Sequence, residues 1–164
     1  MSRSISINFP NTRDEAENLF DKLQRPLSSI CLNTPGLAIG SSSKAKVKIA
    51  NTTYAYIEGV LAKKTTAEIT ISGTITNAYF NVYVLYMDSS GTVTAAAGTQ
   101  ATTLAGVVFP TVPSGSAVIG FVIVNPTGTG DFVGGTTELD DGTVVPNAVY
   151  INTPFCFLPG MESI

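Results

Sequence analysis

Tyr79-Phe80-Asn81-Val82-Tyr83-Val84-Leu85-Tyr86-Met87, closed by Asp88-Ser89-Ser90-Gly91, is the stretch from which the rest of the chain is read. It runs nine residues, mostly β-branched or aromatic, into a tight turn. Side chains of that kind favour a pleated, packed surface, and Asp, Ser and Gly end such a run. The stretch predicts a central strand of an antiparallel β-sandwich. Phe80, Val82, Val84 and Tyr86 fall on one face, and Tyr79, Asn81, Tyr83, Leu85 and Met87 on the other. Both faces are mainly apolar, so both should be covered. One meets an opposing sheet; the other meets a helix or another subunit. Each such side chain buried stabilises the fold by roughly 1.5–3 kcal/mol.

The neighbouring sequence supplies partners for that strand. Thr92-Val93-Thr94-Ala95 follows the turn as a hairpin arm. Ala96 to Gly106 is small and polar and reads as a surface loop. Pro113-Ser114-Gly115 leads into Ala117 to Val124, a second strand apolar on both faces. Asp131 to Val145 reads as an exposed excursion, Val149-Tyr150-Ile151 as a last strand, and Phe155-Cys156-Phe157-Leu158 as an apolar plug.

Upstream, Lys44-Ala45-Lys46-Val47-Lys48-Ile49 alternates with period two and puts three lysines on one face. Like charges in a row repel, so that face needs an acidic neighbour or open water. Lysine also guards a sheet edge against pairing, which is the other reading of the stretch. Asn51 to Leu61 reads as one strand with Tyr54, Tyr56 and Glu58 on one side, and Lys63-Lys64 as a turn. Ala67, Ile69 and Ile71 alternate before Ser72-Gly73. Roughly eight to ten short strands divided by turn residues predict a mainly β, jelly-roll-like sandwich over residues 36–164.

Residues 1–35 are different. Ile5, Ile7 and Phe9 share one side of an extended arm that Pro10 ends. Such an arm suits pairing with a neighbour's sheet or with its own. Asn11 to Arg25 is the one amphipathic helix the sequence predicts. Thr12 and Glu15 have capping-box spacing, Ala16, Leu19, Phe20 and Leu23 form a stripe, and Pro26 stops it. About three turns are marginal alone, so the stripe must bury against the body of the chain or another protein. Residues 1–35 are therefore expected to serve assembly.

The charge layout is unusual. All nine basic residues lie at or before Lys64, against five acidic ones there, for a net +4. The last hundred residues hold seven acidic groups and no Lys or Arg, a net −7, which restores the overall −3. Either a basic face meets an acidic partner, or the strands interleave and the polarity averages out. Only 13% of residues are charged, so sister subunits are expected to cover part of the surface. Nucleic acid is disfavoured as a partner by the net charge. The longest apolar run, Val118 to Val124, is too short to span a membrane, and the N-terminus opens no secretory signal. Cys31 and Cys156 read as reduced core residues of a protein made in a cytosol.

Chemistry is sparse. There is no His, so no imidazole base, His-based triad or His metal ligand. Two distant cysteines do not make a zinc site, and no Gly-rich loop opens a helix to cradle phosphate. Asp131, Glu138, Asp140 and Asp141 have ligands suited to calcium but not the EF-hand spacing, and read rather as acidic turn residues on a surface loop. A carboxylate pair at Glu138 or Asp140 would be the only hydrolytic candidate. No catalytic residue, cofactor or metal is expected.

Three segments carry a resemblance. They are Gly36 to Lys48 followed by Ile57-Glu58-Gly59, the tyrosine-rich strand ending Asp88-Ser89-Ser90-Gly91-Thr92-Val93, and Pro113 to Gly120 before a Val/Ile strand. Over residues 36–160 the chain resembles small virion proteins of tailed bacteriophages, of the capsid decoration (cement) or head-fibre kind. The resemblance implies a β-sandwich assembling, often as a homotrimer, on the outside of a phage capsid, with the major capsid protein as partner. On that reading Ile5, Ile7, Phe9, Arg13, Lys44, Lys46 and Lys48 contact the capsid, and Leu19, Phe20, Tyr83 and Leu85 line a subunit interface. A receptor- or glycan-binding tail-fibre module is the alternative.

Overall fold

The structure is a computed structural model that describes residues 29–155. The predicted arm and helix, and Cys156, lie outside the described residues. In chain order the strands are β1 (Ser29–Cys31), β2 (Leu37–Ile39), β3 (Lys46–Ile49), β4 (Thr53–Ile57), β5 (Val60–Lys64) and β6 (Ala67–Thr70). They continue with β7 (Thr74–Ile75), β8 (Asn81–Asp88), β9 (Val93–Ala97), β10 (Ser116–Val124), β11 (Phe132–Val133) and β12 (Val149–Asn152). The fold is mainly β, and every strand pair is antiparallel.

The opening stretch is the inner strand β8 of a four-stranded sheet ordered β12–β10–β8–β9. Two three-stranded sheets, β1–β4–β5 and β2–β3–β6, contribute to the same core. Tyr83, Leu85 and Met87 pack in one cluster with Ala55 and Ile57 of the first and Val47 and Ile49 of the second. Phe132 and Leu139 join this cluster, so the acidic excursion is anchored by two buried apolar side chains. The Tyr83 and Phe132 rings sit 6.4 Å apart, tilted by 60°.

A β-bulge lets β10 fill that core along its whole length. Val118 pairs with Tyr86 and Gly120 with Leu85, which leaves Ile119 as the extra residue. The extra residue shifts the alternation, so Ala117 and Ile119 point inward before it and Val122 and Val124 after it. Gly120 is required here: a Cβ would lie 2.5 Å from the Ile151 carbonyl oxygen and 2.6 Å from Leu37 Cδ1.

The opposite face of β8 corrects an expectation. Where the sequence predicts a helix or another subunit, the cover found among the described residues is the chain's own residues 98–115. Val82, Val84 and Val118 pack against Val107, Phe109, Val112 and Phe121. Phe109 and Phe121 meet edge to face, 5.4 Å apart at 84°. Backbone exchanges hold the segment in place. Phe80 and Ala101 bond at 2.7 and 3.0 Å, and Thr99 and Val108 at 2.9 and 3.2 Å.

A second correction concerns Asn51 to Leu61, which is not one strand. Glu58 (φ 47°) and Gly59 (φ 87°) are both left-handed, the geometry of a two-residue type I′ hairpin between Ile57 and Val60. Lys63 and Lys64 therefore stand in β5 rather than in a turn. Gly59 takes positive φ readily, but Glu58 beside it is not a residue that ordinarily does.

Candidate adhesion surfaces

Lys46–Ile49 of the lysine stretch forms the middle strand of its sheet, not an edge, so Lys46 and Lys48 do not serve as an edge guard; Lys44 and Ala45 lie in the turn before it. Val47 and Ile49 are buried inward, while Lys46 and Lys48 point outward opposite Thr70 and Glu68 of β6. The acidic neighbour that this face needs comes from two places. Lys44 Nζ donates to Asp140 Oδ2 at 2.7 Å, and the Leu139 amide donates to the Lys44 carbonyl at 2.9 Å. Residues 138–141 are thereby stapled to the end of β3.

Glu68 is the second source. Its carboxylate accepts from the Ser41 amide at 2.7 Å, the Ser42 amide at 2.6 Å and the Ser42 hydroxyl. Bonds to the Ser42 hydroxyl and amide lead in drawing the carboxyl from an ordinary 4.5 down to about 2. Lys48 Nζ donates to Ser41 Oγ at 2.8 Å, closing a ring of loop, lysine and carboxylate. Lysines from the basic front of the chain thus sit against acidic groups from further on, and part of the polarity averages out.

The other acidic turn residues also have structural partners. Asp131 Oδ1 accepts the Asn77 amide at 2.9 Å. Asp141 Oδ1 accepts the Thr143 and Val144 amides, each at 2.7 Å, and those bonds lower its pKa. Among the described residues no group of three or more Cys, Asp or Glu is placed to hold a metal ion. Asp140, a hydrolytic candidate, is engaged by Lys44.

The β1–β4–β5 sheet presents a contrasting outer face. Ile30, Tyr56 and Leu61 stand in one cross-strand row, and Tyr54 stands opposite Lys63 in the next. Tyr54 (37%), Tyr56 (41%), Val60 (47%) and Leu61 (61%) are exposed, the last two at and beside the hairpin turn. Lys63 Nζ lies 5.9 Å from the Tyr54 ring centroid, a cation–π distance. Ala55, Ile57 and Ala62 on the reverse side are in the core, while Val60, opposite Ile57 on that same side, is exposed beside the turn. Tyr54 and Tyr56 were legible as a shared face; the contribution of Leu61 was not, because it depends on the hairpin register.

Of the residues expected to carry function, Lys46 and Lys48 point outward from β3, and Lys44 is exposed in the turn before it, bonded to Asp140. Tyr83 and Leu85, expected at a subunit interface, are instead inside the chain's own core, and burial raises the Tyr83 hydroxyl pKa to about 12. They cannot line a surface while the chain is folded this way. Ile5, Ile7, Phe9, Arg13, Leu19 and Phe20 lie outside the described residues. Cys31 is buried, its thiol donating to the Asn33 carbonyl at 3.1 Å, and desolvation pushes its pKa up. Among the described residues no helix is long and apolar enough to cross a membrane. No family model, curated protein or solved structure matches the chain.

Proposed function

We propose that the chain is a non-enzymatic structural protein of a tailed-phage virion. In this reading it is a decoration protein that binds the outside of the head through the major capsid protein and stiffens it. Its sheets form the two layers of a jelly-roll-like sandwich, and three copies gather into a homotrimer, so that weak contacts add through effective concentration. Ile5, Ile7, Phe9 and Arg13 meet the capsid together with the lysine face of β3.

The observation that carries this reading is how the polar groups are used. Glu68, Asp88, Asp131, Asp140 and Asp141 each bind an amide, hydroxyl or ammonium of the chain itself. What is left outward is the lysine face of β3, which the proposal turns to the capsid, and an apolar tyrosine–leucine face on another sheet. The test is cosedimentation of the purified protein with heads of its own phage. The full chain is expected to bind and to raise the temperature at which heads rupture; removal of residues 1–25 is expected to abolish both.

A second reading follows from exposed Tyr54 and Tyr56, whose rings offer flat stacking faces for a sugar. It makes the chain a glycan-binding module of a tail fibre. Saturable binding to a glycan array, lost in Tyr56→Ala and indifferent to heads, would select it.

A further inference from the structure

The outer face of β1–β4–β5 is apolar, open and two-sided in design, and the described chain begins on it. Ser29 is the first residue of β1, an edge strand of this sheet, and 28 residues precede it. We propose that residues 11–25 dock as an amphipathic helix on this face of their own chain. Ala16, Leu19, Phe20 and Leu23 then cover Ile30, Tyr56 and Leu61.

Reach and size fit. Arg25 is separated from Ser29 by Pro26, Leu27 and Ser28. Three extended residues span about 10 Å, close to the spacing of stacked layers. A fifteen-residue helix is about 22 Å long. Five-residue strands such as β4 and β5 run about 17 Å, so one helix laid along them masks the exposed row. Charge fits as well. Glu15 and Glu17 flank the predicted stripe on either side, and Lys63 stands on the β5 rim beside Tyr54.

The docking explains why a sheet with a finished inner face keeps large apolar groups outward. It assigns Leu19 and Phe20 to contact within the chain, and leaves Ile5, Ile7 and Phe9 as the free arm. It does not depend on the phage-head reading.

The test is nuclear magnetic resonance on the full chain, with methyl-labelled protein alone and mixed with unlabelled protein. Contacts between Leu61 methyls and the Phe20 ring are expected within one molecule. Amides of residues 19–23 are expected to exchange at least ~10-fold more slowly than in a free peptide of residues 1–28. Leu61→Asp should remove that protection while β8 amides keep theirs, and Leu19→Asp should do the same from the other side. Contacts seen only between differently labelled molecules would overturn the proposal in favour of a second copy. Free-peptide exchange in residues 19–23 would overturn it outright. Loss of head binding with these contacts intact would sink the decoration reading alone.

Discussion

The β2–β3–β6 and β1–β4–β5 sheets feed one core and show the outside opposite faces. The first closes its chemistry on itself: Lys44 finds Asp140, and Glu68 gathers the Ser41–Ser42 loop beneath Lys48. The second leaves Tyr54, Tyr56, Val60 and Leu61 in the open. The difference teaches that the acidic groups of this chain mainly hold loops, whereas its unburied apolar surface is left to be covered. The lysine stretch, the most conspicuous pattern in the sequence, is the better satisfied of the two faces.

The comparison breaks most visibly if the two sheets do not share a core. Ile49→Ala and Ile57→Ala remove equivalent, fully buried side chains from the two sheets. Each is expected to cost about 2–5 kcal/mol in denaturant unfolding, with one cooperative transition. A loss under about 1 kcal/mol at either would separate that sheet from the core.

A smaller effect sharpens the account of the open face. Glu58 sits at positive φ, which costs a non-glycine residue about 1 kcal/mol or more. Asn tolerates that conformation, so Glu58→Asn is expected to raise stability by up to about 1 kcal/mol, read as a higher unfolding midpoint. An unchanged or lower midpoint would deny the type I′ turn and with it the register that brings Leu61 beside Tyr56.

Acid separates the two faces next. The Glu68 carboxyl is depressed to about 2 from an ordinary 4.5. A group with a depressed pKa contributes stability above its unfolded value, and that contribution is lost as pH falls towards the folded one. Stability is therefore expected to fall between pH 4.5 and about 2, and to fall less steeply in Glu68→Gln. Asp88 and Asp141 are lowered too, Asp88 first by the Ser90 hydroxyl and Asp141 by the Val144 amide, so some acid sensitivity persists in the variant. Identical slopes for the two proteins would show that the loop–carboxylate ring contributes nothing.

The smallest effect is at Lys44. Its pKa is raised, first by the bond to Asp140, but the pair is open to solvent and screened by salt. Lys44→Ala is expected to leave stability within measurement error at high salt. A large loss would mean that the ion pair, rather than buried Leu139, anchors the acidic excursion.

Much of the core is legible in the sequence. Residues 79–87 and 117–124 announce inner strands through apolar side chains on both faces. The turn between β8 and β9 is announced by Asp88, whose carboxylate takes the Ser90 and Thr92 amides at 2.9 Å each. What was not legible depends on distant pairing. The bulge at Ile119, the left-handed Glu58 and the return of Val107, Phe109 and Val112 over β8 leave no periodic mark. Nor could local reading show that Phe132 and Leu139 pin an otherwise polar loop. Of the proposed contact residues, Lys46 and Lys48 stand on the outer face of β3 and Lys44 in the turn before it, while Tyr83 and Leu85 lie in the core. An apolar strand face looks the same in sequence whether its own chain or a neighbour covers it.

The measurement that bears most directly on the adhesive account is a direct view of particles. On the proposed decoration reading, tailed-phage heads incubated with the full chain and imaged by electron cryomicroscopy are expected to carry extra density on their outer surface. That density should contact the shell through residues 1–13 and the β3 lysines and be absent when residues 1–25 are removed. Bare heads at saturating protein would contradict it.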